Sequence, residues 1–136
     1  MKFKYRRINL FHPFSKKKYI LRPIIPVSLK NKQFSIRYEA LVDSGSDFNI
    51  FPTEIAQRLN IDLKNSQTIH FSGVEDSPIE GYIARVLLSI NHENFKTNVV
   101  FADLPNASGI LGQNGFFDIF SVKFNLFKEE IEIKTK

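Results

Sequence analysis

Apolar and polar residues alternate along three stretches of this chain. Ile25, Val27 and Leu29 form the first set, and Phe34, Ile36, Tyr38, Ala40 and Val42, interleaved with Ser35, Arg37 and Glu39, form the second. Tyr82, Ala84, Val86, Leu88 and Ile90 repeat the spacing later. A period of two puts one set of side chains on one face, so each stretch predicts a half-buried β-strand. Lys30 to Gln33 lies between the first two sets and predicts a hairpin turn. A turn at Asn91 to Asn94 leads into a strand from Phe95 to Phe101, and Phe120 to Phe124 with Glu130 to Lys134 predicts a last pair. Thr53 to Leu59 is the clearest helix, with Pro52 at or near its start, where the missing N–H is no loss. No linker or low-complexity tract interrupts the pattern. The expectation is a single all-β domain over residues 1–136 with one or two short helices.

Composition removes several classes. A chain of 136 residues suits one domain and buries about two-thirds of its unfolded surface, and its 14 Phe and 4 Tyr are enough for a packed core. The absence of Cys excludes a disulfide framework, a thiolate metal site and a thiol nucleophile. His12, His70 and His92 lack the spacing of metal ligands, and there is neither a glycine-rich phosphate loop nor a glycine-elbow serine motif. No metal and no cofactor are expected. No apolar run approaches the roughly 18 residues of a membrane span, and the basic start Met1 to Arg7 leads into no signal-like segment. A cytoplasmic protein with no membrane partner is the expectation.

Charge is unevenly spread. Met1 to Tyr38 carries 11 of the 19 Lys and Arg and none of the 14 acids, so the net charge of +5 belongs to this part of the chain. Residues 1–22 read as a basic N-terminal extension. Arg6-Arg7 and Lys16-Lys17-Lys18 have the charge to meet nucleic acid or an anionic surface. Tyr5, Ile8, Leu10, Phe11 and Phe14 among them read as packing residues, however, so a solvated strand face and loop is expected and nucleic acid is not an expected partner.

The candidate chemistry is Asp43-Ser44-Gly45-Ser46-Asp47, directly after Ala40-Leu41-Val42. Leu41 breaks the alternation, so the strand end is expected to be covered on both faces, with Asp43 at the rim of an apolar interior. A carboxylate there is costly to ionise unless hydrogen bonds hold its charge. Gly45 lets backbone amides and a second loop approach closely. Ser44 can donate to a neighbouring loop and Ser46 to the Asp43 carboxylate. The same residue types also make ordinary turns, so the surroundings decide.

The pentad resembles the catalytic loop of the retropepsin-like aspartic proteases: two apolar residues, Asp, Ser or Thr, Gly, Ser or Ala, and often another Asp. Ile110-Leu111-Gly112 resembles that family's second signature, which leads into a short helix, here Gln113 to Phe120. Between them, Phe71-Ser72-Gly73-Val74 to Glu80-Gly81-Tyr82 stands in the place of the flap, the hairpin that closes over substrate. The resemblance spans Ile24 to Phe124 with the family's order and spacing.

The resemblance implies a closed, mostly antiparallel β-barrel-like acid-protease (retropepsin) fold and a homodimer acting on peptide or protein substrates. The implied function is that of an aspartic endopeptidase, hydrolysing peptide bonds through a water activated by an Asp dyad from two copies of Asp43. Asp43, Ser44 and Gly45 are the implied catalytic group, with Ser44 bonding across the two-fold axis and Gly45 meeting the substrate backbone. The implied substrate-binding residues are Ser46, Asp47, Gly73, Val74, Glu75, Asp76, Ser77 and Ile110, with Gly73 to Pro78 as the flap tip. Asp47 reads equally as a carboxylate anchoring local amides. Val74-Glu75-Asp76-Ser77-Pro78 departs from the glycine-rich tips of the retroviral form. The alternative is a non-catalytic dimerisation or peptide-binding module on the same fold.

A weak internal echo bears on the chemistry. Ser28 to Asp43 and Ser89 to Asp103 both read as strand, polar turn, Phe-led strand and Asp. Asp103 is followed by Leu104-Pro105 rather than by a hydroxyl residue and glycine, so a loop or capping carboxylate is expected there. Aspartic-protease chemistry needs two carboxylates, one to take a proton from water and one to polarise the amide. One catalytic pattern per chain therefore calls for a second copy.

Overall fold

The alternating segments of the sequence form strands in a computed structural model, which describes residues 1–72, 78–105 and 108–136. In chain order these are β1 (Lys2–Lys4), β2 (Arg6–Ile8), β3 (Ile20–Arg22), β4 (Ile24–Asn31), β5 (Phe34–Val42), β6 (Ile50–Phe51), α1 (Thr53–Arg58), β7 (Gln67–Ser72), β8 (Pro78–Ile90), β9 (Glu93–Phe101), β10 (Gly109–Leu111), β11 (Phe120–Asn125) and β12 (Glu130–Thr135). The two expected turns are two-residue hairpin loops, closed by the pairs Asn31↔Phe34 and Ile90↔Glu93. Lys32 and Asn91 open them with left-handed backbones, φ 53° in each, as hairpin loops of this length require.

Strand order closes the main sheet on itself. It runs β4-β5-β10-β6-β9-β8, and β4 pairs again with β8 to complete a six-stranded barrel, with β7 hanging on β8. Four of the six contacts are antiparallel; β5 with β10 and β6 with β9 are parallel. Closure leaves no open edge in the ring. The alternating residues do what their period requires: Ile25, Val27, Leu29, Ile36, Ala40, Val42, Val86, Leu88, Ile90, Val99 and Phe101 are buried together. Helix α1 follows Pro52 and adds Ile55 and Ala56 to the core, with Leu59 just beyond its end. A second cluster gathers Ile50, Val100 and Ala102 with Phe48, Ile69, Phe71, Ile79, Ile83, Leu104 and Ile110.

Two parts differ from expectation. Gln113 to Ile119 is a run of turns, not a helix. Phe117 and Asp118 donate five residues back, to Gly112 and Gln113, while Ile119 and Phe120 both donate to Phe116. Gly115 at φ 103° breaks the helical path, and the amide of Asn114 is drawn away to Asp47, so the regular ladder never forms. In the N-terminal segment, β1 pairs with β12, which also pairs with β11. The Met1 ammonium donates to Ile133 O at 2.7 Å and Ile133 N donates back to Met1 O at 2.8 Å. Lys4 meets Glu130 at 3.1 Å and holds its carboxyl below the usual carboxylate range. Tyr5 does pack on the core. Leu10, Phe11 and Phe14 do not; all three are exposed, because residues 9–19 swing out between the paired β2 and β3.

Phe101 fixes β9 in the barrel and has no solvent exposure. Phe101→Ala should lower the unfolding free energy by about 3–5 kcal/mol, read from urea denaturation; a loss below about 1 kcal/mol would contradict the packing described.

Candidate active site

Asp43 stands where a buried strand leaves the core. Its amide donates to Leu111 O at 3.0 Å, one residue beyond the parallel ladder of β5 and β10 that ends on Leu111↔Val42. Val42 is buried, whereas Leu41 and Asp43 are half-buried, so the strand end is less enclosed than its apolar run implied. The Gly45 amide donates to Asp43 Oδ1 at 2.9 Å. A Cβ on residue 45 would lie 3.2 Å from that oxygen, so the small residue permits this approach. Ser46 N donates to Asp43 O at 3.2 Å and closes the turn.

The Ser46 hydroxyl does not reach the Asp43 carboxylate. It donates to Phe48 O at 2.8 Å, a carbonyl two residues on that the turn already presents to it. Ser44 is exposed, and its carbonyl accepts from Gln113 Nε2 at 2.6 Å. Asp47 is exposed too. Its carbonyl takes both Asn114 N and Asn114 Nδ2 at 2.9 Å, and its carboxylate has no partner among the described residues.

The segment after β10 is strapped onto this loop. Besides the Asn114 contacts, Gln113 N donates to Ser46 O at 2.8 Å, and Gly112 N donates to Asn49 Oδ1 at 2.9 Å. A Cβ on residue 112 would lie 2.4 Å from Phe48 O and 2.7 Å from Ser46 O, so the glycine of Ile110-Leu111-Gly112 is required by contact with the Asp43 loop. Asn49 is wholly buried, and its carbonyl accepts Val100 N at 2.8 Å. It ties the loop both to β9 and to Gly112. Sequence reading passed over Asn49, Gln113 and Asn114. The signal for Asn49 was its position between Phe48 and Ile50, because a polar side chain inside an apolar run needs a buried partner.

The structure thus brings Asp43, Ser44, Gly45, Ser46 and Asp47 into one loop, with Ile110 nearby on β10, opposite Leu41 and Ile50. Gly73, Val74, Glu75, Asp76 and Ser77 lie outside the described residues; the hairpin arms that lead to them, β7 and β8, pair down to Ser72↔Pro78. Asp103, the acid of the second half, accepts Thr53 N at 3.0 Å and Thr53 Oγ1 at 2.9 Å. It anchors the start of α1, as a capping carboxylate does. Among the described residues no three His, Cys, Asp or Glu cluster to hold a metal ion, and no helix is long and apolar enough to cross a membrane.

A family model described as aspartyl protease matches residues 25–114, which hold both the Asp43 loop and the Gly112 segment. The chain belongs to the aspartyl protease family. No curated protein matches it in sequence. Among solved structures it is similar to the EIAV protease in complex with the inhibitor HBY-793, at 24% identity and TM-score 0.54, over 75% of this chain and 86% of that one. A retropepsin-like aspartic protease from Rickettsia conorii matches at 20% identity and TM-score 0.59, over 82% and 88%. The retroviral protease-like domain of Ddi1 from Leishmania major matches at 13% identity and TM-score 0.59, over 83% and 88%. These likenesses establish the retropepsin-like fold.

Gly112→Ala should force the two segments apart and cost about 1–3 kcal/mol. Asn49→Ala, which removes the acceptor of a buried amide, should cost a similar amount, about 1–3 kcal/mol. Urea unfolding of both variants checks this, and wild-type midpoints would show that the straps do not hold the loop.

Proposed function

We propose that this protein is a homodimeric aspartic endopeptidase in which two copies of Asp43 share one water. The observation that carries the reading is an asymmetry between the two halves of the chain. The Asp43 carboxylate is held by one backbone amide at a half-buried loop, whereas Asp103 is taken up by Thr53. One poised acid per chain is half of what water activation requires, since one carboxyl must be protonated while the other is ionised. In this reading Asp43 supplies that acid, exposed Ser44 bonds across the two-fold axis, and Gly45, Ser46, Asp47 and Ile110 line the path of the substrate backbone.

The proposed route to the dimer is the outer strand β11. The segment Gln113 to Ile119, strapped to the Asp43 loop, leads from β10 into β11, an outer strand of its three-stranded sheet with no further strand beside it among the described residues. Two such edges pairing about a two-fold axis would extend the sheet across both copies and face the two loops towards each other. We take residues 1–136 as one retropepsin-like unit, with residues 1–22 a basic extension stitched on through β1. The hairpin of β7 and β8 is the proposed flap, with Gly73, Val74, Glu75, Asp76 and Ser77 at its tip against substrate. The proposed substrates are peptides or unfolded proteins, and the proposed compartment is the cytoplasm.

Wild type and Asp43→Asn should be compared on a denatured-protein library between about pH 4 and 7. Wild type is expected to cleave, with a rate that falls on both sides of an optimum as the shared proton is lost or a second one gained, and Asp43→Asn should lose about 10²–10⁴-fold. Cleavage should also fall more steeply than in proportion to protein concentration once the dimer dissociates. No cleavage by a confirmed wild-type dimer would instead support a non-catalytic peptide-binding or dimerisation module.

A further inference from the structure

We propose that the N-terminal arm and the turn between β11 and β12 form a peripheral docking surface for an anionic lipid bilayer. The proposal stands apart from the catalytic reading and does not depend on it. The large apolar side chains exposed among the described residues are Leu10, Phe11, Phe14, Phe124, Leu126 and Phe127. Five of the six fall in these two segments, which adjoin, and Phe124 lies on β11 just before the turn. Leu126 and Phe127 share the wall of one open cavity with His12, Ser15 and Lys17. Tyr5 N donates to Glu129 O at 2.9 Å, and Arg7 pairs with the Glu129 carboxylate at 3.3 Å. That ion pair fixes the arm beside the turn and neutralises the acid that lines the cavity.

The shape and charge of the patch select the occupant. Phe11, Phe14 and Phe127 are 78%, 91% and 97% exposed, so their rings project outward and have almost nothing of this chain to pack on. A groove for a peptide would half-bury its apolar walls; rings that protrude are suited to entering the boundary between headgroups and acyl chains. Exposed Lys16, Lys17 and Lys18 flank them in the acid-free stretch 1–38, and exposed Lys128 flanks them in the turn, beside Glu129 and Glu130. Lysines beside protruding phenyl groups match a negatively charged bilayer surface. Nucleic acid fits less well. Leu10 and Leu126 have no ring to stack on a base, and the face of Tyr19 is already covered by Arg7, 4.5 Å from its ring centre. The arm lies outside residues 25–114 that match the family model, so the aspartyl protease core leaves this surface without a purpose. The proposed contact is made by surface side chains, which reading the sequence for spanning segments could not register.

The test is sedimentation of the full chain with vesicles of phosphatidylcholine alone and with roughly 30% phosphatidylserine. Wild type should pellet with the phosphatidylserine vesicles only, and less as salt is raised. Lys16→Gln/Lys17→Gln/Lys18→Gln should weaken binding about a hundredfold, near fivefold per lysine. Phe14→Ser/Phe127→Ser should weaken it at least about tenfold, while circular dichroism stays that of wild type because both sites are on the surface. The proposal is overturned if wild type pellets with neither vesicle, if either variant binds as well as wild type, or if the double Phe variant loses self-association while wild type ignores vesicles. Retention of wild type by an RNA oligonucleotide in place of vesicles would overturn it too.

Discussion

The structure depends on one close approach: the parallel pairing of β5 with β10, carried past the strand ends by the contact of Gly112 with the Asp43 loop. A side chain at residue 112 would collide with the carbonyls of Ser46 and Phe48. Without one, three backbone amides and two side-chain amides of Gly112, Gln113 and Asn114 reach the loop and satisfy carbonyls or a side chain there. The loop is thus held along its length by a segment remote in sequence. A carboxylate that leaves a strand end unsupported is free to turn into solvent; this one has its backbone pinned at Leu111 and its oxygen pinned by Gly45. Positioning of this kind, fixed before a substrate arrives, is what acid–base chemistry at a chosen atom demands.

The two halves of the barrel show the same plan used for different ends. Each begins with an antiparallel hairpin, β4 with β5 and β8 with β9, and each hairpin's second strand pairs in parallel with a short strand from the other half, β10 or β6. The halves are interlocked, so neither can be drawn out without breaking the other's ladder. Where the first half ends on an acid with one amide donor, the second ends on an acid that takes both the amide and the hydroxyl of Thr53. Asp103 therefore supports the start of α1, and the proposed chemistry is left to Asp43 and its counterpart in another copy.

Much of this was legible in the sequence because period-two burial is a local signal. Ile25 to Leu29, Phe34 to Val42 and Tyr82 to Ile90 read as strands and are strands, and Pro52 marks the helix that follows it. The core positions could be named from the same pattern. What local pattern could not show depends on contacts distant along the chain. Gln113 to Ile119 has the composition of a short helix but is held as turns by Asp47 and by the left-handed Gly115. The Ser46 hydroxyl, expected on the Asp43 carboxylate, takes Phe48 O instead because the turn brings that carbonyl to it. Asn49, passed over in the sequence, joins three segments. Leu10, Phe11 and Phe14 failed differently: apolar composition predicted burial, but the arm has no second layer to bury them against.

The arm meets the main sheet through β3 and Pro23, whose carbonyl accepts Val42 N beside Asp43, and the outer strand β11 of the β1-β12-β11 sheet is where a second copy of the chain is proposed to add. Assembly is thus the point at which the fold and the proposed chemistry meet. The most direct measurement is a structure of the assembled protein, by crystallography or in solution, that locates both Asp43 side chains. The expected result is two carboxylates about 3 Å apart across a two-fold axis, the separation at which a pair shares one proton. A stable dimer that keeps them too far apart for a single water to bridge would contradict the account.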